Sequence, residues 1–183
     1  MSGLEKLIEE CKDFYELEKG IHELTQKVCS QMLTWALEQI DTQLMNERDR
    51  SMWEVVGFRA KTALSTFGEF IYRRRLYRNK KTGESKFFLD EVLGWPFRAK
   101  VTPRLKELLI KLGSELSFGR AAEIVEYLAP GVSAMKVWQS LQEVGETLRQ
   151  EGEEKRAAVF EKGEVPEGKE VARELCIEAD GVI

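Results

Sequence analysis

The chain is poor in the residues that build most metal and relay sites. His22 is its only histidine, so a His-based metal site or a Ser-His or Cys-His relay lacks parts. Cys11, Cys29 and Cys176 are odd in number and widely spaced, with no C-x-x-C pair. That pattern argues against structural disulfides and zinc and fits a reducing cytoplasm. No apolar run approaches the roughly 20 residues a membrane helix needs, so no membrane partner is expected. The opening Met1-Ser2-Gly3-Leu4-Glu5-Lys6 is acidic and amphipathic, unlike the basic-then-apolar start of a secretory leader. Proline is scarce, four in all, and absent from residues 4–46.

What the chain does have is an uneven distribution of charge. The formal net charge is −4, but it divides into three blocks. Residues 1–50 carry 6 basic and 11 acidic side chains, net −5. Residues 51–111 carry 14 and 6, net +8, and residues 112–183 carry 8 and 15, net −7. A basic middle between acidic ends is the electrostatic footprint of a polyanion partner. The length suits one domain or two small ones.

Residues 4–46 read as helix. Leu7, Phe14, Ile21, Val28 and Trp35 recur every seven residues, which suits either a coiled-coil seam for self-association or a long helix packed in this protein's own bundle. Gln31 and Gln39 interrupt the seam, and Gly20 is the expected point of division into two helices.

The texture then changes. Residues 66–78 are rich in β-branched, aromatic and arginine residues, residues 79–83 form a turn with Gly83 in the left-handed position, and residues 86–89 read as a returning strand. The expected product is a β-hairpin with Arg73, Arg74, Arg75, Arg78, Lys80, Lys81 and Lys86 at or near its tip. Tyr72 and Tyr77 interleave as stacking surfaces. Such a ribbon suits a phosphate backbone or a groove.

Three amphipathic helices follow. Leu105, Leu108, Leu109 and Leu112 form one apolar face. Ser117 caps a second helix with Phe118, Ala121, Ala122, Val125 and Leu128 on one side. Ala129-Pro130-Gly131 ends it. Ser133 caps a third, with Val132 and Val137 as a hydrophobic staple. Val137, Trp138, Leu141, Val144 and Leu148 are its expected core face, with Lys136, Gln139 and Ser140 outward. The last two helices have helix-turn-helix punctuation, and the small Ala121-Ala122 pair permits close crossing. Lys136, Gln139 and Ser140 are then candidates for bases or phosphates. A plain three-helix core fits the spacing equally well.

Residues 151–170 read as a charged extension and linker. Residues 171–183 read as a buried strand that delivers a carboxylate at a glycine turn. A strand opening a new domain in the last residues has no partners, so the chain is expected to be a fragment.

The order of these parts resembles the bacterial insertion-sequence transposases of the ISLre type. The resemblance rests on Tyr77-Arg78-Asn79-Lys80-Lys81-Thr82-Gly83, Phe88-Leu89-Asp90-Glu91-Val92-Leu93-Gly94 and Ser114-Glu115-Leu116-Ser117-Phe118-Gly119-Arg120-Ala121-Ala122. It continues through Val137-Trp138, Gln142-Glu143-Val144-Gly145, Gly163-Glu164-Val165-Pro166-Glu167-Gly168 and Ile177-Glu178-Ala179-Asp180-Gly181. It covers roughly residues 50–183, and residues 1–46 match only in being helical.

The resemblance implies a DDE-type transposase with an N-terminal DNA-binding region followed by an RNase H-like domain. In that fold three carboxylates hold Mg²⁺ or Mn²⁺ for phosphodiester attack. Asp180 matches the first carboxylate, catalytic and metal-binding, and this chain alone is expected to hold no metal and to be inactive. The expected fold is mainly α with a β-hairpin: helices over 1–50, the basic hairpin over 51–100, the helix-turn-helix-like unit over 101–150, the linker over 151–170, and the first catalytic strand over 171–183. Arg120 joins the expected DNA contacts. The expected partners are duplex DNA at element ends and a second copy of the chain, in a nucleoid-associated cytoplasmic setting. The alternative is a free-standing helix-turn-helix regulator or an inhibitor of transposition.

Overall fold

A computed structural model describes residues 3–164. The expected strand at 171–183, with Asp180, lies outside the described residues. Residues 1–141 form one compact unit, and a second begins at Gln142.

The first unit starts with α1 (Gly3–Glu10) and α2 (Phe14–Glu47). Asp13 caps α2 by accepting the Glu16 amide at 2.8 Å, while the Glu16 carboxylate accepts the Lys12 amide at 3.0 Å. Asp13 thereby satisfies one donor that helix geometry leaves orphaned, and Glu16 reaches back to the residue before the cap. The helices therefore divide at residues 11–13 and not at Gly20. Gly20 lies within α2 for a packing reason: a Cβ there would come 2.2 Å from Leu7 Cδ1, so glycine is what lets α1 lie against α2. One side of α2 packs Leu33, Leu37, Ile40 and Leu44 into the sheet's core. The seven-residue seam points elsewhere, and Phe14, Ile21, Val28 and Trp35 remain exposed.

The sheet is antiparallel with order β1-β2-β3: β1 (Trp53–Ser65), β2 (Gly68–Asn79) and the short β3 (Ser85–Lys86). This differs from the expected hairpin. The main partner of β2 is β1, paired from Ser65↔Gly68 to Trp53↔Asn79, and the tip between them is Thr66-Phe67. Ser65 Oγ accepts the Phe67 amide and donates to the Gly68 carbonyl, and Gly68 takes φ +92°, a value glycine adopts without a Cβ penalty. The turn at 79–83 exists, with Gly83 N donating to Asn79 O at 2.9 Å. The chain after it makes only a two-residue strand before α3 (Phe88–Val92). The basic residues of β2 are thus mid-strand rather than at a tip.

The unpaired edge of β2 is covered by polar side chains of α2. Ser30 and Thr34 donate to the carbonyls of Phe67 and Ile71, and Glu38 and Asp41 accept the amides of Arg73 and Arg75. Helical spacings of 4, 4 and 3 residues thereby meet strand positions on the one edge, and the covered edge is closed to further pairing.

Three helices complete this unit: α4 (Pro103–Glu115), α5 (Phe118–Leu128) and the start of α6 (Ala134–Lys162). Leu105, Leu109, Ala121, Ala122, Val125 and Val137 form their core, joined by Leu64 of β1. The segment before α4 is tied to β1: Leu64 N donates to Lys100 O at 2.8 Å, and Thr102 N donates to Leu64 O at 2.9 Å. Gly113 sits where α4 meets α6, and a Cβ there would lie 2.4 Å from Leu141 Cδ1 and 2.7 Å from Val137 Cγ1. Trp138 and Leu148, expected in the core, are exposed.

In the second unit the described chain continues α6 to Lys162, through part of the region expected as linker. It is held on its surface by Arg149 bridging Glu146 and Glu153, one helical turn to either side. The mainly α fold with a hairpin stands: six helices and one three-stranded sheet are present among the described residues. No helix among them is long and apolar enough to cross a membrane.

Candidate nucleic-acid interface

Successive strand residues point to opposite faces, and this splits the arginine run of β2. Arg73 and Arg75 lie on one face. Arg75 is half-buried and donates from Nη1 to Asp41 at 2.6 Å and to Thr42 at 3.2 Å. Arg73 is exposed, with Nε 3.8 Å from Glu38, and both guanidiniums lie over the Phe58 ring. Farther along, Arg78 stays exposed near Glu54, and Lys80 Nζ donates to Arg50 O at 2.7 Å. Lys81 is exposed in the turn, where its amide donates to Asn79. Lys86 pairs with Glu91 at 2.8 Å. The run of cations is therefore largely tied to neighbouring carboxylates and carbonyls.

Arg74 is a correction to the expected surface cluster. It is only 3% exposed, on the other face with Lys61 and Arg59 of β1, which are brought beside it by the register Arg59↔Arg74 and Lys61↔Tyr72. Its guanidinium pairs with Asp90 of α3 and lies 3.9 Å over the Phe87 ring. Lys61, 7% exposed, is 3.9 Å from the same carboxylate, donates to Pro96 O at 3.2 Å and sits 4.1 Å over Trp95. Burial, reinforced by the Arg74 charge, pushes the Lys61 ammonium down to about 8. Burial likewise lowers Arg74 from its ordinary value. The aromatic hydroxyls are pushed the other way: Tyr72 is raised, and Tyr77 goes up to about 12, both chiefly by burial. Both tyrosines are fully buried core side chains rather than surfaces open to a ligand, and Tyr77 stacks on Phe88 at 4.0 Å.

Above Lys61 and Arg74 a cleft of about 830 Å³ opens where the chain leading to α4 diverges from β1. Its rim carries Arg59, Arg98 and Lys100, all exposed, and the ring of Phe97, and none of its lining residues is acidic. Sequence reasoning missed Arg59, Lys61, Arg98 and Lys100. They fall within the +8 block, and the alternation Arg59-x-Lys61 was the available signal that two cations share a strand face.

On the three-helix unit the expected contacts separate. Arg120 is exposed and pairs with Glu123 at 2.9 Å, and Gln139 is exposed. Lys136 is half-buried and donates its ammonium back to the Gly131 carbonyl. Ser140 is a second correction: it is buried, with Oγ donating to Lys136 O at 2.8 Å, and faces the core rather than a groove. The reason is helical geometry, since Ser140 follows Val137 by three residues and shares its buried side. The turn between α5 and α6 is held by Glu126, whose carboxylate accepts the amides of Gly131 and Val132, each at 3.0 Å.

A family model covering residues 7–183 matches the sequence. The chain belongs to the uncharacterised protein family UPF0236. It is 28% identical over 181 residues to a protein described as UPF0236 protein in vanSb 3′ region from Streptococcus gallolyticus, covering 97% of this chain and 37% of the relative. It is 27% identical over 181 residues to a UPF0236 protein from Caldanaerobacter subterraneus subsp. tengcongensis, covering 98% of this chain and 36% of the relative. The chain thus spans just over a third of the length of these relatives.

Proposed function

We propose that this chain is the N-terminal, DNA-binding part of a DDE-type insertion-sequence transposase, whose whole protein transposes DNA by metal-dependent phosphodiester hydrolysis and strand transfer. The observation that carries the proposal is the cleft beside β1, where five cations line one concavity without an acidic residue. A phosphate backbone is the partner such a field attracts. The sequence resemblance supports the same reading. So does the name of the Caldanaerobacter relative, which joins eleven locus designations of one genome, the pattern left by a sequence that multiplies within it.

In this reading α5 and the start of α6 act as a helix-turn-helix, with Arg120 and Gln139 outward toward DNA. The exposed strip Phe14, Ile21, Val28 and Trp35 serves self-association, and the setting is the nucleoid. Asp180 would be the first catalytic carboxylate and a ligand of Mg²⁺ or Mn²⁺ in the full-length enzyme. It lies outside the described residues, and among those residues no three His, Cys, Asp or Glu side chains gather as a metal site.

The test is binding of the chain to duplex DNA at rising salt. With several phosphates contacted, affinity should fall by at least about tenfold between about 50 and 200 mM salt. Unchanged affinity over that range, or no binding at either end, would sink the proposal.

A further inference from the structure

We infer that the cleft beside β1 seats an unpaired strand of DNA, with phosphates on Arg59, Arg98 and Lys100 and a base stacked on Phe97. The inference rests on the nucleic-acid reading above and narrows it to one conformation of the nucleic acid.

At about 830 Å³ the cleft falls within the range of about 300–1,000 Å³ typical of pockets for single small molecules. That is room for a nucleotide or two. A duplex would lay only its backbone across such an opening and leave the interior unused.

Lys61 and Arg74 are both more than nine-tenths buried, and they share the single carboxylate of Asp90. Two buried cations against one anion leave an uncompensated positive charge, and a charge out of water is costly without a partner. An anion entering the cleft supplies the missing negative charge. The rim cations Arg59, Arg98 and Lys100 then hold it from the solvent side.

The aromatic ring separates a strand from a bare phosphate. Phe97 is 61% exposed, although burying such a ring would ordinarily be favourable. It lies parallel to Phe87, with centroids 5.6 Å apart and planes 15° apart, and the Arg74 guanidinium lies 3.9 Å from Phe87 and 5.2 Å from Phe97. Three such separations close a triangle, so the two rings and the guanidinium form one cluster whose exposed member is Phe97. A nucleobase is a flat group that the exposed Phe97 ring accepts, and an unpaired base presents its face along the whole strand, whereas bases inside a duplex have both faces covered. Cations beside an aromatic platform are the general arrangement for single-stranded nucleic acid, and the platform tolerates any base. Free mononucleotides share this chemistry of phosphate plus base, so the experiment separates them from a strand.

The experiment measures binding of the chain to a blunt duplex and to the same duplex with an unpaired arm of about ten nucleotides, by fluorescence anisotropy. The forked DNA should bind about tenfold more tightly than the blunt one. Phe97→Ala should bring the fork down to the level of the blunt duplex, and Phe97→Trp should retain the advantage. An oligothymidine strand should displace the fork, whereas dTMP at the same nucleotide concentration should not. Equal affinity for fork and blunt DNA, a Phe97→Ala variant that keeps the advantage, or displacement by dTMP as effective as by the strand would each overturn the inference while leaving DNA binding intact. Failure of both DNAs to bind would overturn the proposed function and this inference together.

Discussion

Arg73 and Arg75 stand on one face of β2, Arg74 on the other, and the two faces handle positive charge in opposite ways. On the first, α2 delivers carboxylates by helical spacing, Glu38 toward Arg73 and Asp41 toward Arg75. Each cation there has an acid of its own, and those acids also accept the strand's edge amides. On the second, Arg74 and Lys61 share Asp90, with Arg59, Arg98 and Lys100 around the cleft and no acid in its lining. The lesson is that a run of consecutive arginines is not one surface. In a strand its alternate members enter different environments, and only the environment left short of carboxylates retains a field that draws in a polyanion.

The largest expected effect tests the unbalanced face. Asp90→Ala leaves two buried cations with no anion and should cost about 3–5 kcal/mol of stability, read from urea denaturation. Asp41→Ala should cost less, about 2–3 kcal/mol, because Arg75 is half-buried and reaches Thr42 as well. If Asp41→Ala proves the more damaging, the contrast between the faces is inverted.

Next comes a control away from both faces. Gly113→Ala forces a methyl group against Leu141 and Val137 and should cost about 1–3 kcal/mol, by shifting side chains between α4 and α6. A neutral result would mean that these helices part easily.

The DNA comparison is the third. Replacing Arg59, Arg98 and Lys100 together by alanine should lower the slope of log affinity against log salt by about 2–3, close to one for each phosphate no longer neutralised. Replacing Arg73 and Arg78, which already lie near carboxylates, should lower it by less than about 1. Equal changes would erase the functional distinction between the faces.

The smallest effect concerns protons. Folding lowers the Lys61 ammonium from the ordinary 10.5 to about 8, so between those values the unfolded chain binds a proton that the folded chain does not. Stability from this group therefore rises with pH from about 8 toward 10.5. Lys61→Met should remove that rise, seen as a wild-type-minus-variant difference in urea midpoint that changes across the window. A difference constant with pH would show that burial does not disfavour the charged form.

Much of the helical architecture is legible in the sequence because its signals are local. The caps at Ser117 and Ser133, the break at 129–131 and the Leu105/Leu109 face all rest on residues within a turn or two of one another. The hairpin is harder to place because its true tip, Thr66-Phe67, lacks the glycine-rich signature of a two-residue loop. The turn at 79–83 has a glycine in the left-handed position and carries the stronger local signal. Gly20 reads as a breaker because nothing local announces that Leu7 will lie against it. The cleft is hidden for the same reason, since it joins residues 59–62, 74, 76, 87 and 97–100 across the chain.

The sequence alone determined where charge is concentrated, which segments are helical and which residues repeat with the period of a helix, because each depends on neighbours along the chain. Tertiary structure decided what each charge does. Arg74 became a buried floor and Arg75 a clasp on α2 because strand register and the path of α2 set the number of carboxylates within reach. Ser140 turned inward because Val137 fixed the buried side of α6. The seam from Phe14 to Trp35 stayed in solvent because α2 gives a different side, Leu33 to Leu44, to the sheet. Distances between residues far apart in the chain decide these outcomes, and periodicity does not contain them.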